Sequence, residues 1–441
     1  MSQSERLGTT TPNLGAREGD GLLAESNVNR RARSSLLRIT DVRTATLRGV
    51  PFLSHLVRID TNQGIVGYGE VRDGASKNYA LMLKRHLLGE NPCDVERLFR
   101  KISQFGGHAR QGGGVSGIEM ALWDLAGKAY DVPVYALLGG KYRDEILCYA
   151  DTPSCRDASE MGERLAERRE RGFKWLKMDV GIDLLADRED MLAAPPGAVA
   201  STRVMHPFTG IQITRRGVDY LVAYVARVRE IIGDETPLSI DHFGHIGLES
   251  CIRLARALEP FTPAWLEDMI PWQYTEQWRS LTDAVATPTC TGEDIYLAEG
   301  VRPLLERGAV RVIHPDPATA GGIAETKRIG DLAQGYGVPM ALHLAASPVA
   351  TYAAVHIAAA TENFLVLEHH AADVEGWSGL VSGVPQPIIQ NGVIRVPDAP
   401  GLGFEDVDEQ ACRAFASASD GDLFAPSSEW DGDSSHDRLW S

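Results

Sequence analysis

Long apolar runs are missing from this 441-residue chain: none approaches the ~20 residues that a membrane-spanning helix needs, so no transmembrane segment is expected. Cysteine is scarce. Cys93, Cys148, Cys155, Cys251, Cys290 and Cys412 form no CxxC pair, which suits reduced thiols in a cytoplasmic protein better than a disulfide framework or a structural zinc site. A secretory signal is not expected either, because Arg30-Arg31 precedes Ser34-Ser35-Leu36-Leu37-Arg38, which has no apolar core. Positive charge is the remaining deficit: 44 Lys and Arg stand against 60 Asp and Glu, a net charge of −16. Such a surface repels nucleic acid and anionic membranes, and neither is an expected partner. A small anionic substrate stays compatible, since a bound metal can dominate the local field.

The chain is long enough for two domains with a large core. Residues 1–36 are rich in Ser, Thr, Gly, Asn and Arg without periodicity, and are expected to be a disordered tail; so is the acidic, Ser- and Gly-rich stretch 416–441. Strand-like runs at 43–47, 56–60 and 65–71 predict a small meander, and helical segments follow at 79–88 and 94–105. Gly112-Gly113-Gly114-Val115-Ser116-Gly117 matches GxGxxG in form, but no strand precedes it. The glycines are therefore expected to be a flexible loop leading into a helix over 118–130.

Beyond residue 145 the sequence becomes periodic. An apolar run of strand length ends on a polar group at Asp241, Glu267, Glu293, Asp316, His343 and Glu368, in steps of 26, 26, 23, 27 and 25 residues by subtraction of those positions. A strand, a loop, a helix and a return loop need roughly that many residues, so the period predicts successive βα units. Polar groups at the C-terminal ends of parallel strands converge on one end of a barrel. One Asp and two Glu on adjacent strands, followed by Asp and His, describe a divalent-metal site beside a base.

The run 173–180 sits earlier in the same series. Alternation puts Trp175, Lys177 and Asp179 on one face and Leu176, Met178 and Val180 on the other. Lys177 beside Asp241 and Glu267 is a candidate proton-transfer group, the alternative being a structural ion pair with Asp179. The 64 residues from Lys177 to Asp241 exceed the other steps, and the excess, 184–216, is expected to lie over the barrel mouth. His245 falls in the loop after Asp241, where it could meet a substrate. His369-His370 stays ambiguous.

These residues, taken with Gly117-Ile118-Glu119-Met120-Ala121-Leu122-Trp123-Asp124, Gly139-Gly140 and Pro400-Gly401-Leu402-Gly403, resemble the mandelate racemase and muconate lactonising branch of the enolase superfamily over roughly residues 38–412. The resemblance implies an α/β fold: a (β/α)7β TIM-like barrel over 146–396, with insertion 184–216, under an α+β capping domain formed by 37–145 and completed by about 397–415. It implies one Mg²⁺ per active site on Asp241, Glu267 and Glu293. It also implies catalytic roles for Lys177, Asp316, His343 and Glu368. Asp179 and His245 are expected to contact substrate. Three departures are visible. Lys177-Met178-Asp179 stands where Lys-x-Lys is usual, and Glu267-Asp268-Met269 where Glu-Glu-Pro is common. Phe243 occupies the position at which mannonate and galactonate dehydratases carry a His.

The expected activity is dehydration of a sugar acid to a 2-keto-3-deoxy acid. The α-proton is taken beside a carboxylate, Mg²⁺ stabilises the enediolate, and a β-hydroxyl leaves with help from protonated His343. His343 is the favoured base, held by Asp316, with Lys177 orienting the substrate carboxylate and Glu368 addressing the enediolate. Alternatives are a racemase or epimerase using Lys177 and His343 on opposite faces, a cycloisomerase, or a catalytically silent metal- and ligand-binding regulatory protein. The expected partners are a small-molecule carboxylate and further copies of the chain as a homo-oligomer.

Overall fold

The computed structural model describes residues 33–201, 210–241 and 246–432. The N-terminal part opens with the antiparallel meander β1 (Ile39–Arg48), β2 (Leu53–Thr61) and β3 (Val66–Val71), paired in that order. Helix α1 (Val95–Ile102) packs on α2 (Gly113–Tyr130), which lies along β3. The predicted helix over 79–88 is instead two short turns, Asn78–Leu81 and Lys84–His86. The run 112–117 is not a flexible loop, since α2 starts at Gly113 and is buried along nearly its whole length. Its glycines serve close approach. A Cβ on Gly69 of β3 would stand 1.9 Å from Gly117 O, and one on Gly117 would stand 2.9 Å from the Glu70 backbone. Helix and strand touch backbone to backbone, which a side chain at either position would prevent.

The barrel runs β4 (Glu145–Ala150), α3 (Ala158–Glu170), β5 (Leu176–Asp179), the hairpin β6 (Leu192–Ala193) with β7 (Gln212–Ile213), α4 (Arg215–Ile232), β8 (Leu238–Asp241), α5 (Leu248–Leu258) and β9 (Leu266–Glu267). It continues α6 (Thr275–Ala284), β10 (Thr289–Thr291), α7 (Leu297–Glu306), β11 (Val312–Ile313), α8 (Ile323–Gly335), β12 (Met340–Leu342), α9 (Pro348–Ala360) and β13 (Phe364–His369). Strands β4, β5, β8, β9, β10, β11, β12 and β13 pair in parallel in that order, and β13 closes on β4. Eight strands joined by seven helices are the expected (β/α)7β barrel, and β14 (Val393–Arg395) adds antiparallel to β4. Local chemistry starts the helices: the Asp157 side chain accepts from the N–H groups of Ser159 and Glu160, Thr214 from Gly217, and Ser347 from Val349 with Pro348 at the first turn. Among the described residues no helix is long and apolar enough to cross a membrane.

One expectation about the chain's periphery needs correction. Residues 416–432 are not a free acidic tail. Phe424 is buried against Tyr68 with its N–H on Thr44 O, and the buried Lys84 ammonium draws in Ser427 O at 3.0 Å and Asp431 at 2.6 Å. At the other end Ser34–Leu36 makes a single helical turn, while 1–32 and 433–441 lie outside the described residues. The described flanks of the insertion, 184–201 and 210–216, do not line the cavity at the barrel mouth. Met191, Ile211 and Ile213 bury themselves in the main core, and Gly247 N–H and Ile213 N–H bond Ile211 O and Ser250 Oγ, so the hairpin packs beside the start of α5. Residues 202–209 lie outside the described residues.

The cap is held to the barrel by two buried carboxyl groups, each on the N-terminus of a barrel helix. Glu119 of α2 accepts from Ile323 N (2.6 Å) and Ala324 N (2.9 Å) at the start of α8. Glu70 of β3 accepts from Ser347 N (3.0 Å), Ser347 Oγ (2.5 Å) and Ala350 N (3.1 Å) at the start of α9. Both pairs satisfy helix N–H groups that have no partner within the helix. Between the two layers lies α9, buried from end to end, with His356 stacked on Tyr135 and accepting the Tyr135 N–H at 3.2 Å through Nδ1.

Two stability predictions follow from this packing. Gly69→Ala forces α2 off β3 and is expected to cost about 3 kcal/mol, read as a lowered thermal midpoint; an unchanged midpoint would contradict the backbone contact. Burial depresses His356 from the ordinary 6.5 to about 4, against a weaker opposing effect of the Leu402 backbone. Its stabilising contribution is therefore complete above pH 6.5 and is lost as pH falls towards 4, on the order of 3 kcal/mol. His356→Phe is expected to flatten the acid limb of the stability–pH curve over that window.

Candidate active site

Alternation along each strand decides what faces the barrel interior. Trp265, Cys290, Val312, Ala341 and Val366, with Tyr149 and the half-buried Trp175, close it as an apolar floor. Two positions further on, the same phase presents Lys177, Asp241, Glu267, His314, His343 and Glu368, all buried. Asp241 pairs in register with both Asp179 and Glu267. Glu293 is one step out of this layer: β10 ends at Thr291, and Gly292, with φ 148°, turns the chain so that Glu293 reaches the mouth from above.

Lys177 is the hub of the lower layer. Its Nζ lies 2.9 Å from Glu267 Oε1, 2.9 Å from Glu368 Oε1 and 3.1 Å from Asp241 Oδ2. Burial alone would lower its pKa, but Glu267 and Glu368, with Tyr149 and Asp241, hold the ammonium well above the ordinary lysine value. Glu267 also accepts from Trp265 Nε1 (2.7 Å) and faces His314 Nδ1 (3.0 Å), while His314 Nε2 meets Tyr149 OH at 2.9 Å. Against its burial, His314 and Lys177 hold the Glu267 carboxyl down to about 2. Asp241 goes the other way: burial pushes it well above the usual carboxylate range, and Lys177 only partly offsets this against Glu267 and Asp179.

The upper layer is built around a residue from the cap. Arg72, directly after β3 and buried, bonds Asp316 Oδ2 through Nη1, which also lies 2.7 Å from His343 Nδ1; its Nη2 reaches Glu293 Oε1 at 3.1 Å. His343 Nδ1 meets Asp316 Oδ2 at 2.6 Å, and its Nε2 faces Glu293 Oε2 at 3.3 Å and Glu368 Oε2 at 3.7 Å. Burial disfavours the imidazolium, yet Glu293, Glu368 and Asp316 outweigh it and Arg72, and raise the His343 pKa. Above this lies a cavity of about 710 Å³, walled by Phe52, Asp73 and Arg110 of the cap and by Asp151, Asp179 and His370 of the barrel. Asp179 accepts from Ser154 Oγ at 2.7 Å and, through burial and the neighbouring Asp151, is pushed up to about 7. His370 bridges Asp151 Oδ2 and Glu368 Oε1, each at 3.2 Å.

Residues 42–139 match the mandelate racemase/muconate lactonizing enzyme N-terminal domain, and residues 160–411 match the enolase C-terminal domain-like family. The chain belongs to the mandelate racemase/muconate lactonizing branch of the enolase superfamily. A D-xylonate dehydratase of Haloferax volcanii is 36% identical over 378 residues, covering 83% of this chain and 86% of that protein. A D-galactonate dehydratase of Ralstonia nicotianae is 29% identical over 367 residues, 80% of this chain and 88% of that one. The crystal structure of a mandelate racemase/muconate lactonizing enzyme-like protein from Rubrobacter xylanophilus is 37% identical with a TM-score of 0.77, covering 88% of this chain and 100% of that chain.

Dehydratases of the enolase superfamily use a divalent metal, and the donor set here suits one. Asp241, Glu267, Asp268 and Glu293 crowd one mouth, and burial with mutual repulsion pushes Asp241 and Asp268 well above the usual carboxylate range, so more carboxyl groups gather here than Lys177 and Arg72 can balance. Oxygen donors of this kind select a hard cation. A tighter group of Glu267, Cys290 and His314 also exists, but burial, with Glu267 and Asp268 nearby, keeps the Cys290 thiol protonated.

Of the residues singled out in the sequence, Lys177, Asp179, Asp241, Glu267, Glu293, Asp316, His343 and Glu368 come together at this mouth, while His245 lies outside the described residues. The ion pair of Lys177 with Asp179 does not form, because Asp179 turns to Ser154. Arg72, His314 and His370, like Asp151 and Asp268, carried no assignment. His314 could have been found by counting two positions from Val312. Arg72 lies in the other domain, where no period points to the barrel. Removing Arg72 leaves Asp316 buried without its cation, so Arg72→Ala is expected to cost roughly 3–5 kcal/mol, and Arg72→Lys to recover little of it because one ammonium cannot span Asp316 and Glu293. Thermal unfolding of the two variants tests this; full recovery by lysine would contradict the bidentate role.

Proposed function

We propose that the protein is a Mg²⁺-dependent dehydratase that converts a sugar acid into a 2-keto-3-deoxy acid. The observation that carries this reading is that, among the described residues, no second free base stands across the barrel. Lys177 is committed to three carboxylates, and Asp179 stands where a second lysine would be needed. A racemase needs proton acceptors on both faces of the α-carbon; here His343 and His370 stand on neighbouring strand ends of one wall. The relatives named as D-xylonate and D-galactonate dehydratases support the same class.

In this reading Asp241, Glu267 and Glu293 would hold the ion, which would supply Lewis-acid stabilisation of charge developing on the substrate carboxylate. His343 Nε2 takes the α-proton. Asp316 fixes the ring through Nδ1, and Arg72 fixes Asp316 in turn. Lys177, held as an ammonium, orients the substrate carboxylate, and Glu368 stays beside both. Asp179, at the cavity wall, accepts from substrate hydroxyls. A homo-oligomer and the exclusion of nucleic acid and membranes belong to the same proposal, the latter resting on the net charge of −16.

A screen of acid sugars beginning with D-xylonate and D-galactonate, with and without Mg²⁺, tests it. The expected outcome is a 2-keto-3-deoxy product that requires the metal. Epimerised substrate without dehydration would favour the racemase, and no turnover of any acid sugar a binding role. Glu267→Gln is expected to weaken Mg²⁺ binding at least about tenfold by calorimetry and to abolish turnover with the fold intact.

A further inference from the structure

Loss of a β-hydroxyl needs a proton as well as a base, because hydroxide is a poor leaving group and its C–O bond breaks as a proton reaches the oxygen. From the geometry at the junction of β12 and β13 we infer that this acid is His370, acting beside His343. The inference rests on the dehydratase reading and adds to it a residue that the sequence left ambiguous.

His343 follows β12 directly and His370 follows β13 directly, so neighbouring strands deliver the rings side by side, with centroids 5.8 Å apart. Ring nitrogens of the two histidines and an oxygen of Glu368 all lie within 4.8 Å of one another. A base and an acid that each act across roughly 3 Å can therefore serve adjacent carbons of one substrate together. His370 lines the cavity. Its Nδ1 is tied to Asp151 Oδ2, while Nε2, 3.2 Å from Glu368 Oε1, has no aligned hydrogen-bond partner. The ring is oriented by Asp151, and its second N–H faces Glu368 at 3.2 Å without the alignment of a hydrogen bond. Burial disfavours the charged ring, but Asp151 and Glu368 hold His370 well above the ordinary histidine value, so it enters the reaction carrying the proton it must give.

Among the described residues the competing cationic acids are occupied or turned away. Lys177 donates to Glu267 and Glu368 and pairs with Asp241, and His314 lies one layer down between Glu267 and Tyr149. The proton balance then closes without an oxidant or a second substrate. His343 Nε2 takes the α-proton, and the C–H electron pair becomes the new C=C bond. The β C–O bond breaks with its pair going to oxygen, which takes the proton from His370 Nε2 and departs as water. The enol ketonises, and solvent returns one proton to His370 and removes one from His343. Both groups act from the same wall, so proton and hydroxyl leave from the same side.

The test separates the two proton transfers in D2O, with D-xylonate as first probe, replaced by the acid sugar that the screen identifies. In His370→Gln, dehydration is expected to fall at least about 100-fold while deuterium still enters C2 of recovered substrate within about tenfold of the wild-type rate of proton abstraction. The 3-deoxy-3-fluoro analogue, whose leaving group needs less protonation, is expected to lose under tenfold. Parallel loss of exchange and dehydration, dehydration that survives, or the same split appearing in Asp179→Asn instead would each overturn the assignment. Should His370→Gln not fold, Asp151→Asn keeps the ring and removes its orienting carboxylate. A weaker split of the same sign then supports the role, and parallel loss overturns it. Failure of the wild-type protein to dehydrate any acid sugar is a separate result and removes the functional reading itself.

Discussion

Too many carboxyl groups share one water-poor barrel mouth, and the rest of the architecture answers to that fact. Asp241, Glu267, Asp268, Glu293, Asp316 and Glu368 are pressed together where a low dielectric magnifies their repulsion. Lys177 threads up from β5 to touch three of them, and Arg72 descends from the cap to touch two more. Each cation is buried, and neither could stay so without these partners. What remains uncompensated is the driving force for a divalent ion, and a mouth that binds such an ion and an acid substrate is the functional consequence of the charge distribution.

The cap is therefore part of the site as well as its cover. Arg72 stands two residues from Glu70, whose hydrogen bonds to Ser347 and Ala350 seat β3 on the start of α9. Ser347 in turn belongs to the loop that begins at His343. One short strand thus fixes the guanidinium and the imidazole relative to each other, and Glu119 repeats the attachment one helix away. The backbone contact of Gly69 with Gly117 allows α2 to lie close enough for both attachments to form. Packing in the cap and geometry at the barrel mouth are in this sense one property.

Neighbouring strands bring the two histidines of the mouth side by side. His343 is backed by Asp316 and Arg72, and His370 by Asp151, while Glu368 lies between them. Asp179 stands where the resemblance leads one to expect a second lysine, and it turns to Ser154. A lyase with its proton traffic on one side is the chemistry that such a wall supports.

The barrel, its strand ends and most of its polar groups were legible in the sequence, because both signals are local. A period near 25 residues counts βα units, and alternation within a strand says which side chains turn inward. Those rules place Lys177, Asp241, Glu267, His343 and Glu368 without any knowledge of contacts. Applied one strand more carefully, they also place His314. What only the tertiary structure decided is who partners whom. Arg72 meets Asp316 across 244 residues of chain and His343 across 271, and Phe424 returns to the first sheet from a segment whose composition suggested a free tail. No local period records such meetings. They arise because a buried charge must find an opposite charge wherever the folded chain supplies it, and that choice is made by the packing of two domains against each other.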